Sequence, residues 1–289
     1  MEHHVTVGVD GSPEGRSAAR WAAREAVLRN VPLRLIHVED WPISPPPPRL
    51  HADSAKHWAE EVLADTAKDV RRRHPQLDIT TRCLSGRPST ALAAEAVSAD
   101  LLVLGSRGLG SVVGFLIGSV SLTTLSATET PVVLVRETDE AEDGSPTRYG
   151  EIVVGVDIHQ ACDKVLAFAF EEASRRDCTL RAVHGWKLPP VFGHAQLLDP
   201  ATEREADRGI AEMLDDMLLP WRNKFPEVRL EEKTYVGSAG RELVQATAGA
   251  DLVVVGRRIR HSALGAHLGP VAHAVLHHTA APVAILAHV

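Results

Sequence analysis

The chain is written twice. VTVGVDGSPEGRSAARWAAREA, beginning at Val5, aligns without a gap with IVVGVDIHQACDKVLAFAFEEA, beginning at Ile152, an offset of 147. At the same offset VPLRLIHVEDW from Val31 matches CTLRAVHGWKL from Cys178. SGRPSTAL from Ser85 then matches VGSAGREL from Val236, ADLLVLG from Ala99 matches ADLVVVG from Ala250, and TPVVLV from Thr130 matches APVAIL from Ala281, with the offset now 151. A repeat of about 145 residues is one domain of ordinary size. The expected organisation is a first domain over 1–136 and a second over 151–289. The linker over 137–150 is acidic and turn-rich.

Within each copy short apolar runs alternate with helical patterns. Residues 5–9 read as a strand, and 13–30 as a helix with Ser12 as N-cap and Pro13 at its first position. A strand over 33–38, a helix over 51–74 and a strand over 78–83 follow. A helix near 88–98, a strand over 100–104, a helix near 118–128 and a strand over 131–135 complete the copy. Runs such as LLVLG are apolar throughout, as strands buried on both faces are. The fold class is therefore α/β: two tandem doubly wound domains, each a five-stranded parallel sheet with helices on both faces.

Charge and composition narrow the function. The net charge of −7 gives no electrostatic drive towards nucleic acid or an anionic membrane. Arg71-Arg72-Arg73 reads as a solvated helix end. No apolar run is long enough to span a bilayer. The N-terminus lacks a signal-peptide pattern, and three cysteines at unremarkable spacings suit a reducing cytoplasm. Cys83 and Cys178 adjoin strands and read as small buried residues.

Ligands of such sheets bind beyond the carboxyl ends of the strands. The segment after the fourth strand, GSRGLGSVVGFLIGSVS from Gly105, holds glycines at 105, 108, 110, 114 and 118. Glycine weakens strands and helices alike, so this is a loop built for unusual dihedrals or close approach of a ligand. Gly118-Ser119 opens a helix whose free N–H groups and dipole attract anions. Ser119, Ser121 and Arg107 add hydroxyls and a charge. Neither a GxxxxGK(S/T) loop nor a GxGxxG after the first strand is present. Asp10, ending the first strand, either accepts from a ligand amine or hydroxyl, or braces the turn into the first helix. Val38 either offers main-chain groups to a base edge or is a core valine.

Gly105-x-x-Gly108, nine residues, then Gly118-Ser119 resembles the G-2x-G-9x-G-(S/T) signature of the ATP-binding class of universal stress proteins. GVDGS, LIHV, SGRPSTAL and TPVVLV resemble that family too, and the likeness covers both halves. It implies the strand order 3-2-1-4-5 with ATP, with or without magnesium, at the switch point. By the same resemblance Gly8 and Asp10 lie near the nucleoside and Val38 makes main-chain contacts to adenine. Gly105, Ser106, Arg107 and Gly108 line the ribose and phosphates, and Gly118, Ser119, Val120 and Ser121 hold the phosphate chain. Such domains dimerise, so the resemblance implies pairing of the two halves, with 131–135 beside 282–286, or a homodimer.

The second copy departs from the motif. Ile259 stands where Gly108 does, and Pro270 replaces Ser119, removing an N–H and a hydroxyl. Asp157, Gly256 and Gly269 are kept, and Arg257 and Arg258 offer compensating charge. The expectation is a second site that binds ATP poorly. His273 and His277 have a metal-compatible spacing, but no HExxH accompanies the histidines, and the expectation is no metal. Pro45–Pro48 reads as a rigid wall. Trp41 and Trp186, after the second strand of each copy, either shield a ligand or pack between halves. No candidate catalytic residue emerges. The leading reading is a nucleotide-dependent regulator or sensor with at most slow ATP hydrolysis. The alternatives are a nucleotide-dependent hydrolase or transferase and an interaction module.

Overall fold

The structure, a computed structural model, describes residues 3–40, 49–106, 118–137, 150–160, 162–187, 200–259 and 268–288, without the side chains of 49–55 and 200–203. The chain divides into two compact units, the described residues up to Glu137 lying in the first and those from Gly150 on in the second.

The first unit runs β1 (Val5–Gly8), α1 (Pro13–Arg29), β2 (Leu33–Glu39), α2 (Arg49–Arg73), β3 (Ile79–Ser85), α3 (Pro88–Ala96), β4 (Leu101–Gly105), α4 (Ser119–Ala127) and β5 (Val132–Val135). Its strands are parallel and lie in the order β3-β2-β1-β4-β5. The second unit repeats this with β6 (Glu151–Gly155), α5 (Asp163–Arg176), β7 (Thr179–Trp186), α6 (Pro200–Lys224), β8 (Leu230–Val236), α7 (Ala239–Ala246), β9 (Leu252–Arg258), α8 (Pro270–His278) and β10 (Val283–His288). Its order is β8-β7-β6-β9-β10. In each unit the order reverses beside the first strand, which makes the switch point.

Local chemistry sets the helix ends. The Ser12 hydroxyl accepts from the Gly15 N–H at 3.0 Å, and Pro13 opens α1 without a wasted donor. α1 closes on Asn30 at φ 54°, and α5 closes on the equivalent Asp177 at φ 48°. These two residue types tolerate the left-handed region best after glycine. β1, β4 and β5 are buried along nearly their whole length, as parallel strands covered on both faces must be.

Two buried ion pairs sit at equivalent places. Glu25 on α1 pairs with Arg29 at 2.5 Å, and Glu172 on α5 pairs with Arg176 and, at 2.5 Å, with Arg175. Burial of Cys178 is as expected, but Cys83 is exposed. It lies on β3, an edge strand with a largely exposed face, beside Glu39. Arg71–Arg73 do end α2, and Arg72 and Arg73 also pair with Asp69.

Candidate functional site

Two helix N-termini meet at Gly105. A Cβ on this residue would lie 2.9 Å from the carbonyl carbon of Glu14 and 3.0 Å from the Gly15 nitrogen. Backbone cannot yield as a side-chain tip does, so the start of α1 reaches the end of β4 only because residue 105 has no side chain. From the other side the Ser121 hydroxyl, buried in the first turn of α4, donates to the Gly105 carbonyl oxygen at 3.3 Å.

The two N-termini differ in what they leave open. α1 is satisfied from within: Ser12 caps it and Glu14 lies in its first turn. α4 has no side-chain cap and no acidic residue in its first turn. Among the described residues its earliest backbone bond runs from the Leu122 N–H to the Gly118 carbonyl at 3.0 Å. The N–H groups of Ser119, Val120 and Ser121 therefore precede the intrahelical ladder. Ser119 and Val120 are exposed. Among the described residues, a Cβ on Gly118 would meet nothing closer than the Ser121 hydroxyl at 4.0 Å. Uncapped donors and a positive helix end suit an anion.

Asp10 joins the same edge. Its Oδ1 accepts from the N–H of Ser12 at 3.1 Å and from the Ser12 hydroxyl. The bracing role is thus real, yet the carboxylate stays exposed. A Cβ on Gly15 would lie 2.7 Å from Asp10 Oδ1, so Asp10, Gly15, Gly105 and Ser121 form one continuous line of contacts.

Gly8 lies opposite Ile36 and Leu104 in the sheet, and a Cβ there would strike Leu104 at 2.9 Å and Leu92 at 3.1 Å. Its position is explained by packing. Ser106 is buried, and its N–H is committed to the Val135 carbonyl at 2.7 Å. That amide is not available to a ligand. Arg107 and Gly108 lie outside the described residues, as do Trp41 and Pro45–Pro48.

Val38 is placed by a residue that pattern reading passes over. The Ile36 carbonyl accepts from Val9, so Val38, two residues on, turns its N–H and carbonyl towards the β1 side, where β1 has ended. The Val9 carbonyl at that end is bonded by His37 Nδ1 at 2.8 Å. His37 is buried, and Trp58 of α2 meets it edge-on at 5.2 Å. His184 Nδ1 bonds the Val156 carbonyl at the same 2.8 Å. The signal was in the repeat, where His37 and His184 align.

The second unit closes what the first leaves open. β9 runs past Gly256 to Arg258, pairing with β10 through His288, and the Ile259 N–H donates to the His288 carbonyl at 2.8 Å. β9 thus continues past Gly256, whereas β4 ends at Gly105. Arg257 and Arg258 therefore lie in a strand, and Arg258 bonds Gln160 at 3.1 Å, which in turn bonds Asp157 Oδ2 at 2.6 Å. A Cβ on Gly256 would lie 2.8 Å from the His288 ring, where Gly105 meets the start of α1. Cys162 is the N-cap of α5. Burial, reinforced by Asp163 and Asp157, pushes its thiol up to about 11.

The His273 and His277 rings lie 4.2 Å apart between centres, tilted by 33°, and among the described residues no group of three His, Cys, Asp or Glu is placed to hold a metal. The Trp186 indole N–H donates to Asp207 at 3.0 Å. No helix among the described residues is long and apolar enough to cross a membrane.

A family model described as "Universal stress protein family" matches residues 1–136 and again 148–287. Universal stress protein Rv2005c of Mycobacterium tuberculosis is 33% identical over 291 residues, covering 98% of this chain and 97% of that protein. Universal stress protein Rv2623 of the same organism is 32% identical over 289 residues, covering 97% and 95%. A universal stress protein from Archaeoglobus fulgidus matches in structure with a TM-score of 0.72 at 16% identity, over 98% of both chains, a likeness of fold.

Proposed function

The chain belongs to the universal stress protein family, in a tandem form, and from that premise we propose that its first half binds ATP and that the protein is a nucleotide-dependent regulator or sensor. One observation carries the reading: the uncapped start of α4 and the exposed Asp10 carboxylate lie along one line of contacts through Gly105. In the proposed site the N–H groups of Ser119, Val120 and Ser121 and the Ser119 hydroxyl face the phosphates, joined by Arg107 and Gly108. Asp10 takes a ribose hydroxyl or base amine, and the Val38 main chain takes the adenine edge. Magnesium enters with the phosphates.

The chemistry favours holding over turnover. No lysine lies in the segment from Gly105 to Ser121, and rapid phosphoryl transfer needs positioned charge and a nucleophile activator. The protein is read as cytoplasmic, and self-pairing of its domains rests on the family resemblance alone.

Calorimetric titration with MgATP tests the reading, run beside overnight incubation of the complex. Saturable binding that weakens at least tenfold in Asp10→Ala, with ATP recovered intact, supports it. Absence of ATP binding to the wild-type chain overturns it, and rapid hydrolysis overturns the sensor role.

A further inference from the structure

The second unit holds a cavity of about 820 Å³ where the end of β7 meets α7 and α8. This volume is typical of a small-molecule site. Much of its wall is apolar and half-buried: Ala239 and Val244 from α7, and Val271 and Ala274 from α8. Two glycines make the shape. A Cβ on Gly185 would lie 2.5 Å from the Ala239 Cα, and one on Gly240 would lie 3.0 Å from the Ala274 Cβ. The start of α7 is thereby drawn against both β7 and α8.

The exposed side is basic. Lys187, Arg241 and the His278 imidazole line it, and neither Lys187 nor Arg241 has a carboxylate partner among the described residues. Glu242 is the neighbouring carboxylate, resting against Gly237. The first copy differs at these positions. It has Asp40 where Lys187 stands, Thr90 for Arg241, Ala127 for His278 and Arg87 for Ser238. One cation and one anion have become two cations beside an imidazole. Most cations on a protein surface are solvated and have no ligand. These two differ in flanking a preformed apolar cavity.

We propose that the second unit binds an apolar-bodied organic anion here, with its ring or short acyl chain against Val244 and Val271 and its carboxylate, sulfonate or phosphate ester on Arg241 and Lys187. Nucleoside polyphosphate is not the ligand. Pro270, which lines the cavity, brings neither N–H nor hydroxyl to the start of α8. The proposal is independent of the ATP reading for the first half.

The test is fluorescence titration of the full chain with 1-anilinonaphthalene-8-sulfonate, an aromatic sulfonate. The expected result is saturable binding of one probe per chain, weakened at least tenfold in Lys187→Glu/Arg241→Glu. Both residues are exposed, so the variant is expected to keep the wild-type circular dichroism, Tm and ATP affinity. Displacement by octanoate assigns an acyl ligand, and displacement by phenyl phosphate assigns an aryl ester; either supports the proposal. Probe binding unchanged in the double variant overturns it, as does displacement of the probe by ATP.

Discussion

His37 Nδ1 donates to the carbonyl oxygen of Val9 across 2.8 Å, and His184 does the same to Val156 in the other half. A carbonyl only accepts, so each ring carries its proton on Nδ1. The imidazole satisfies a strand-end carbonyl where β1 and β2 part, and so keeps that end open without an orphaned acceptor. His37→Phe is expected to lower stability by about 1–3 kcal/mol, the cost of a buried acceptor left unpaired. It is also expected to weaken ATP binding, since Val9 and Val38 lose their brace. A shift in the urea midpoint together with ATP calorimetry checks both.

Gly105 and Gly118 belong to one motif but answer to different forces. Gly105→Ala drives a Cβ into the backbone of Glu14 and Gly15, and a loss of about 1–3 kcal/mol is expected from overpacking. Gly118 has φ −63°, open to any residue, and among the described residues a new methyl meets nothing closer than the Ser121 hydroxyl at 4.0 Å. Gly118→Ala is expected to change stability by less than about 1 kcal/mol while lowering ATP affinity at least tenfold. Thermal melts beside calorimetry separate the two. A Gly118→Ala chain that binds ATP like wild type removes Gly118 from the site.

ATP is expected to bind with a stoichiometry of one per chain. Each lost hydrogen bond to a charged group is worth about 1.5–3 kcal/mol. The second unit lacks the Pro270 donors, and the Ile259 N–H is spent on His288. Ile259→Gly with Pro270→Ser is not expected to restore a second tight site, because the β9–β10 ladder still holds that backbone. Two equal tight sites in the wild-type chain contradict this.

Glu172 is fully buried between Arg175 and Arg176, and the Arg176 side chain is 3% exposed. Glu172→Ala leaves a buried guanidinium without its main counter-charge, and a destabilisation of about 3–5 kcal/mol is expected. Arg175→Ala removes a more exposed partner and is expected to cost about 1 kcal/mol or less. Denaturant unfolding of the two variants gives the comparison.

Cys83 is exposed, yet its thiol is pushed up to about 11, first by partial desolvation and then by its hydrogen bond to Glu39 and that carboxylate's charge. Burial pushes Cys178 to about 11 as well. At pH 8 a thiol at that value holds about a hundredfold less thiolate than an ordinary cysteine. Native protein is expected to react slowly with a disulfide reagent at all three cysteines. Glu39→Gln is expected to speed Cys83 alone, and rapid reaction of wild-type Cys83 at pH 8 refutes the shift.

The elements were legible because their causes are local. Ser12 and Pro13 announce the start of α1, and the apolar runs at Leu101 and Val132 announce strands covered on both faces. Exposure of Cys83 was not legible, because it follows from β3 lying at a sheet edge, a fact of strand order. The glycine motif presents Gly105 as a ligand residue; that its missing side chain also makes room for the start of α1, about ninety residues earlier in the chain, appears only in the fold.

By itself the sequence determined that this protein is one α/β unit made twice, that the copies belong to one family, and that the second has lost Gly108 and Ser119 to Ile259 and Pro270. Repeats, caps and apolar periodicity act over a few residues, so they can be read in order along the chain. Only the tertiary structure decided that α4 starts uncapped beside Gly105, that β9 continues past Gly256 into sheet, and that Lys187 and Arg241 flank one cavity. Each of those rests on which distant segments share a hydrogen bond or a van der Waals surface, and no local preference encodes that.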